Sequence, residues 1–192
     1  MQKSFISYEH CERRIFSFAA AYMCPICHFS VNPASEEVLE IPSPFLDKSE
    51  PMSVTLKPTD GLFLRDYKNG SDLHIGITNS KGEIFEFDSR GVSTGACWKQ
   101  FLNIQIPVST KKEEWDLILE KTSEKFKHER YDDSLMNCFS FVTSSLASIE
   151  EIAEFCKDKA VFSEKFLTES TKRAAKYISV YRHIEKYGFY II

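Results

Sequence analysis

The feature that most constrains the fold is a change in hydrophobic period partway along the chain. Between residues 52 and 108, apolar and polar side chains alternate in short runs, as in half-buried strands. After residue 110 the apolar side chains recur at helical spacing, with Trp115, Ile118 and Leu119 on one face. Strands grouped first and helices grouped later predict an α+β protein, with an antiparallel sheet and packed helices rather than a doubly wound sheet.

The same patterns predict the individual elements. The predicted strands are 52–56, 72–78, 83–88, 101–108 and a closing strand at 189–192, and a turn at 80–82 joins the second strand to the third. The predicted helices are one that follows a capping box at 110–113, then 138–149, 163–166 with Ser163 as its cap, and 169–187.

A proline-rich stretch divides the chain. Four of the 7 prolines fall between residues 32 and 51, among serine and glutamate residues. Proline lacks a backbone donor and fixes φ, so regular structure is not expected there. The predicted organisation is a small Cys/His module over 1–31, a linker over 32–51 and the α+β domain over 52–192.

Composition excludes several functions. The net charge is −4 and the isoelectric point is about 5.8, which argues against a nucleic-acid partner held by a basic field. No apolar run reaches the roughly 20 residues that a membrane span requires. Charged residues interrupt the first 18 positions, so no signal peptide is expected and the protein is predicted to be cytoplasmic, nuclear or both. In those compartments the 6 cysteines stay reduced.

One histidine and one cysteine have the positions that a thiol nucleophile needs. His74 lies in the predicted strand 72–78, and Cys138 follows Asn137 at a predicted helix start. A helix N-terminus lowers the pKa of a thiol, and its free N–H groups stabilise an oxyanion. A histidine held against that helix activates the thiol as a base. From the residues alone, a buried structural thiol beside a strand histidine is the alternative.

The N-terminal cysteines predict a metal site. Cys24 and Cys27 form a CPIC knuckle, the turn that presents two thiolates to one zinc ion. Cys11 precedes them, and either His10 or His28 completes four ligands. We favour one structural zinc held by Cys11, Cys24, Cys27 and His10, which requires a local turn at His10. A redox CxxC pair and free, partly buried thiols are the alternatives.

The residues around His74 and Cys138 resemble the circularly permuted papain-like families. These are the NlpC-P60/lecithin:retinol acyltransferase group and the PPPDE desumoylating isopeptidases. The match covers about residues 52–150 and rests on HIGI from residue 74, on the hairpin that follows, and on NCFSF from residue 137. It implies a permuted papain-like core, with Cys138 as nucleophile and His74 as base.

The resemblance also implies further roles. The acyltransferases carry a second histidine on the next strand, where this chain has Glu86 and Asp88. Either carboxylate would orient His74, with Glu86 favoured, unless the site is a dyad as in the isopeptidases. Asn137 and the Cys138 amide would hold the oxyanion.

A resemblance over the whole chain is to the makorin-2 opposite-strand protein family. It rests on HC at 10–11, CPIC at 24–27, FLR at 63–65, SDLH at 71–74, GITN at 76–79 and YGFY at 187–190. This resemblance implies family membership and no particular activity.

The sequence therefore predicts a cysteine hydrolase or an acyl- or amide-transfer enzyme. Cys138 would attack an amide, isopeptide or ester carbonyl of a protein, peptide or lipid substrate, and His74 would carry the proton. The alternative is a non-enzymatic adaptor of the same fold that mediates protein contacts through a zinc-stabilised N-terminus.

Overall fold

The computed structural model describes residues 4–20, 23–31 and 37–192. The chain forms two compact units, one of residues 1–44 with 173–192 and one of residues 45–172. Each unit contains one antiparallel sheet together with helix, and most of the C-terminal helix belongs to the smaller unit, so the predicted α+β class is confirmed. Elements are numbered here in chain order, β1–β9 and α1–α4.

The larger unit is built on a five-stranded antiparallel sheet in the order β7-β6-β5-β4-β8. The strands are β4 (Ser53–Pro58), β5 (Leu73–Thr78), β6 (Ile84–Asp88), β7 (Gly91–Thr94) and β8 (Leu102–Gln105). The sequence predicted all of these strands except β7, which extends the β5–β6 hairpin.

The two faces of the sheet have different roles. Ile77 pairs with Phe85 across the β5–β6 ladder, so alternation places Ile75, Ile77 and Phe87 on one face. There the Phe87 ring lies 5.1 Å from that of Phe126 and 6.4 Å from that of Phe141, centroid to centroid, against the first two helices. The opposite face carries the even-numbered side chains of β5 and β6, which include His74 and Glu86.

The helices are α1 (Lys112–Phe126), α2 (Cys138–Leu146), α3 (Lys159–Phe162) and α4 (Thr168–Tyr187). A 3₁₀ turn at Phe155–Lys157 precedes α3, and a π-helical turn at Ser163–Leu167 leads into α4. In the part of the chain that the structure describes, no helix is long and apolar enough to cross a membrane.

Three helix predictions are corrected by the structure. The capping box at 110–113 is wrong, because α1 begins one residue later and its N-cap, Lys111, makes no side-chain cap hydrogen bond. The second helix stops at Leu146 rather than residue 149. Ser163 caps no helix; the side chain of Asp158 instead accepts the N–H groups that begin α3.

The smaller unit contains a four-stranded antiparallel sheet in the order β3-β1-β2-β9. Its strands are β1 (Phe5–His10), β2 (Arg13–Ser17), β3 (Leu39–Ile41) and β9 (Phe189–Ile191). The closing strand was predicted, but it pairs with β2 of the N-terminal segment. Residues 173–192 therefore group with the N-terminal segment rather than with residues 52–172.

The segment predicted as a linker is partly ordered. Strand β3 falls within residues 32–51 and pairs with β1, so the expectation of irregular structure throughout is wrong. All three residues of β3 keep their backbone N–H donors, because the prolines of this segment lie outside the strand. Residues 32–36 of that segment lie outside the described residues.

Candidate active site and metal centre

Cys138 is the first residue of α2, and the local sequence explains why the helix begins there. The Asn137 side-chain oxygen accepts the N–H groups of Phe139 (3.0 Å) and Ser140 (3.2 Å), and the Ser140 hydroxyl bonds back to the Asn137 N–H. This reciprocal capping box satisfies the free donors of the first turn. It fixes the Cys138 thiol at the positive end of the helix dipole.

Both the nitrogen and the oxygen of the Asn137 side-chain amide are hydrogen-bonded. Its nitrogen donates to the Asp133 carbonyl at 2.7 Å, while its oxygen caps α2. In this arrangement Asn137 positions Cys138, and the second N–H of its amide is a further donor beside the helix start.

We expect Asn137→Ala to lower the free energy of unfolding by about 1–2 kcal/mol, because the substitution removes the cap of α2. Asn137→Ser retains an acceptor at the cap and should recover most of that stability. Urea denaturation of the three proteins gives the comparison. Wild-type stability in the alanine variant would contradict the proposed capping role.

His74 and Glu86 lie on the same face of neighbouring strands. The His74 Nε2 atom lies 2.9 Å from Glu86 Oε2, and both side chains are buried. Ser93 on β7 donates to the other carboxylate oxygen at 3.3 Å. Because Nε2 is engaged by Glu86, Nδ1 is the ring nitrogen left for the Cys138 sulfur. The structure therefore brings together Cys138, His74 and Glu86.

The electrostatics of this group favour an ion pair. Burial opposes charge on His74, but hydrogen bonds and charge from Cys138 and Glu86 outweigh it and raise the His74 pKa to about 9. Burial likewise opposes ionisation of Cys138, yet hydrogen bonds from His74, the Ile75 N–H and Tyr131 lower the thiol pKa. A thiolate beside an imidazolium is the state that these shifts stabilise. Hydrogen bonding to His74 also lowers the Glu86 pKa despite burial.

Tyr131 belongs to this site, although sequence reasoning missed it. Desolvation and the adjacent Cys138 thiol raise the pKa of its hydroxyl to about 12, and Tyr131 in turn helps to lower the Cys138 pKa. The only sequence signal was an aromatic residue in the loop that leads into α2.

An open cleft of about 800 Å³ lies over this group. His74, Glu86 and Tyr131 line it, whereas Cys138 itself is only 5% exposed. The two lining residues His74 and Tyr131 both interact with the thiol, which places Cys138 beside the cleft. Asp88, the alternative orienter, also lines the cleft but bonds Arg90.

Trp98 forms one wall of the cleft, and a glycine makes room for it. The Trp98 ring centroid lies 5.5 Å from that of His74. A Cβ atom at Gly76, two residues along the same strand face, would lie 3.0 Å from the Trp98 ring. Glycine at this position therefore allows the indole to pack beside His74 and hold its ring in place.

The four favoured metal ligands also come together, in the smaller unit. His10 ends β1, and the next two residues, Cys11 and Glu12, have φ of 45° and 60°, which turns the chain into β2. That is the left-handed two-residue turn typical of hairpins. It supplies the local turn that the sequence required, so adjacent His10 and Cys11 both reach the knuckle of Cys24 and Cys27.

The geometry of the cluster suits a tetrahedral ion. His10 Nδ1 lies 3.5 Å from Cys27 Sγ, Cys11 Sγ lies 3.6 Å from Cys24 Sγ, and the four ligand atoms all lie within 4.8 Å of one another. Tetrahedral Zn–S bonds of about 2.3 Å place two sulfurs roughly 3.8 Å apart. The ligand atoms therefore already have nearly the spacing of a zinc site.

Hydrogen bonds shape the knuckle around Cys24. Its buried sulfur accepts the Ile26 N–H at 3.4 Å, and its carbonyl accepts the His28 N–H at 3.0 Å. Burial opposes ionisation, but the N–H groups of Cys27 and Ile26 and the neighbouring thiols lower the Cys24 pKa to about 6. His28 is exposed and outside the cluster, so of the two histidines the structure selects His10.

Together these features define a class of protein. It is an α+β protein whose larger unit holds a buried Cys–His–Glu group at a helix N-terminus, and whose smaller unit holds a Cys₃His cluster that could bind a metal.

Comparison with known proteins gives the family. The chain is 35% identical over 200 residues to the MKRN2 opposite strand protein of Homo sapiens. The aligned region covers 98% of this chain and 89% of that protein. Residues 38–184 match the family described as DUF4796 C-terminal. The chain belongs to this family, which confirms the resemblance seen over the whole sequence. No solved structure matches the chain.

Proposed function

We propose that the larger unit is a thiol hydrolase or acyl-transfer enzyme with a permuted papain-like core. One observation carries the proposal: His74 hydrogen-bonds the Glu86 carboxylate and interacts with the Cys138 thiol, and Cys138 opens a helix. A nucleophile, a base and an orienting acid in hydrogen-bonded series are the parts that nucleophilic thiol catalysis requires.

The chemistry follows from these contacts. The Cys138 thiolate attacks the carbonyl carbon of an amide, isopeptide or ester and forms a C–S bond as the carbonyl electrons move to oxygen. When the tetrahedral species collapses, His74 gives its proton to the departing amine or alcohol and a thioester remains. Water, or a second amine or alcohol in a transfer reaction, then attacks the thioester. His74 takes the proton of that attacking group, and Cys138 is released as the thiolate.

The Cys138 backbone N–H is the proposed oxyanion donor. It interacts with the Tyr131 hydroxyl and lowers the pKa of that group, so a substrate oxygen would replace the hydroxyl at the amide. Tyr131 would then be displaced slightly and donate its own O–H to the same oxygen. Asn137 supports this donor by fixing the first turn of α2.

Selective labelling of Cys138 tests the proposal. The full-length protein is treated with limiting iodoacetamide at pH 7, and each cysteine is followed by peptide mass spectrometry. We expect Cys138 to be labelled ahead of Cys156, a buried thiol whose pKa burial raises to about 11. Cys97→Ala is the matched control, because Cys97 lines the same cleft and is exposed. If Cys138 reacts only after denaturation, it is not a nucleophile.

Burial of the thiol favours a second candidate function. Cys138 is only 5% exposed, whereas His74 and Tyr131 line the cleft. If the protein has this fold but catalyses no reaction at Cys138, it would be an adaptor that binds other proteins. Absence of native-state labelling at Cys138 would favour the adaptor over the enzyme.

We further propose that the Cys₃His cluster holds one structural zinc ion. Cys11, Cys24, Cys27 and His10 would be its ligands, and the spacing of their atoms supports four-coordinate binding. A site with four protein ligands leaves no open position, so the ion would supply folding energy rather than chemistry.

A further inference from the structure

A second cavity lies in the smaller unit and has no part in either proposed site. Its volume is about 520 Å³, within the range of small-molecule pockets. All the residues that line it belong to 1–44 or 173–192.

The walls of this cavity are apolar. Phe5 and Tyr177 stack with ring centroids 4.7 Å apart, and Phe16 meets Phe5 edge to face at 6.1 Å. Val180 adds an aliphatic surface one helical turn beyond Tyr177 on α4. The Tyr177 hydroxyl is hydrogen-bonded to Ser43, so this polar group already has a partner. A ligand body in contact with these walls would be apolar.

The charged residues of the lining are of one sign. Arg173 and Lys176 lie three residues apart on α4, which places them on one face of the helix, and both are exposed at the cavity. Among the described residues that line the cavity, none is acidic. The ligand end that meets the exposed side would therefore be anionic, because the two cationic side chains attract it.

We propose that this cavity binds a straight-chain fatty acid, with its alkyl chain between Phe5, Tyr177 and Val180 and its carboxylate on Arg173 and Lys176. One apolar chamber and one cationic edge match one alkyl chain with one carboxylate. The site is separate from Cys138, so the inference does not depend on the proposed enzyme.

Displacement of a fluorescent fatty acid from the full-length protein tests the inference. The competitors are saturated acids of 8 to 14 carbons, each kept below its micelle concentration. Burial of each methylene should tighten binding about fourfold until the cavity is filled, after which affinity should level off. The alcohols of equal length should bind about tenfold more weakly, because they lack the charged end.

Two variants and one control separate the two halves of the site. Arg173→Gln combined with Lys176→Gln should weaken the acids about tenfold and leave the alcohols unchanged. Lys172→Gln combined with Lys186→Gln removes the same charge elsewhere on α4 and should have no effect. Val180→Phe should fill the chamber and weaken acids and alcohols alike; thermal unfolding of each variant shows that it is folded.

Three results would overturn the inference. The first is an absence of saturable binding to the wild type. The second is equal affinity for acids and alcohols that the Arg173 and Lys176 substitutions do not change. The third is binding to vesicles of anionic phospholipid but not to the free acid, which would make this face a membrane-binding surface instead.

Discussion

At pH 7, Cys138 is expected to react with iodoacetamide about tenfold faster in the wild-type protein than in a His74→Asn variant. A thiol with an ordinary pKa is only a few per cent ionised at that pH. Hydrogen bonding to His74 lowers the Cys138 pKa and so raises the thiolate fraction. His128→Asn is the matched control, since His128 is an exposed histidine on a different part of the unit.

The pH dependence of the reaction has a definite sign. Alkylation needs only the thiolate, so its rate should rise through the lowered Cys138 pKa and stay high. Turnover of an alkyl ester also needs the imidazolium, because the departing alcohol must take a proton, so it should fall as the pH passes about 9, where His74 loses its proton. A bell-shaped turnover profile and a sigmoidal alkylation profile together identify the ion pair. Identical profiles for the two reactions would contradict it.

Stability should follow the same titrations. The folded-state pKa of His74 is raised from 6.5 to about 9, so its contribution is fully present below pH 6.5 and is lost as the pH rises through 9. The pKa of Glu86 is lowered, so its contribution is present above its ordinary value of 4.5 and is lost as the pH falls below it.

Glu86→Gln separates the orienting acid from the base. The amide can still bond to His74 but cannot stabilise its charge, so the alkaline limb of turnover should move to lower pH. Asp88→Asn is the matched control, because Asp88 bonds Arg90 and has no hydrogen bond to His74. If the two substitutions shift the profile equally, Glu86 has no special role.

The residues of the candidate active site differ in how far the sequence could identify them. Cys138 has a local signal, because Asn137 and Ser140 form a capping box that requires a helix to begin there. Glu86 follows once β5 and β6 are recognised as a hairpin, since alternation puts it on the same face as His74. Tyr131 could not be inferred, because its contact with Cys138 depends on how a loop folds back over α2.

The smaller unit was harder to predict because its hairpin turn has an unusual sequence and because two of its paired strands are far apart along the chain. The β1–β2 hairpin turns at Cys11 and Glu12, both left-handed, without the glycine or asparagine that usually marks such a turn. Strand β9 pairs with β2 across more than 170 residues, and no local pattern encodes that partner. The metal ligands were identified from residue type, whereas the choice of His10 over His28 depended on the turn.

Loss of zinc is the change expected to have the largest effect on stability. The protein purified without chelator should contain one zinc ion per chain by plasma mass spectrometry. Structural zinc contributes about 10–16 kcal/mol in small zinc-binding domains, which is comparable to the whole stability of an ordinary domain. Cys24→Ser should remove the ion and leave β1 and β2 without a stable connection to the knuckle. Hydrogen exchange in those strands should then become fast.

Matched variants separate ligation from packing. His28→Ala should retain the ion, because His28 lies outside the cluster, whereas His10→Ala should lose it. His10→Cys supplies a fourth thiolate and should bind zinc where His10→Ala does not. If the imidazole acted only by packing, His10→Cys would not restore zinc binding. Chelation should mimic Cys24→Ser in the wild type and have no effect on Cys24→Ser itself. A wild-type protein with near-zero zinc, and with strands unaffected by chelator, would show that the three thiols are held by packing alone.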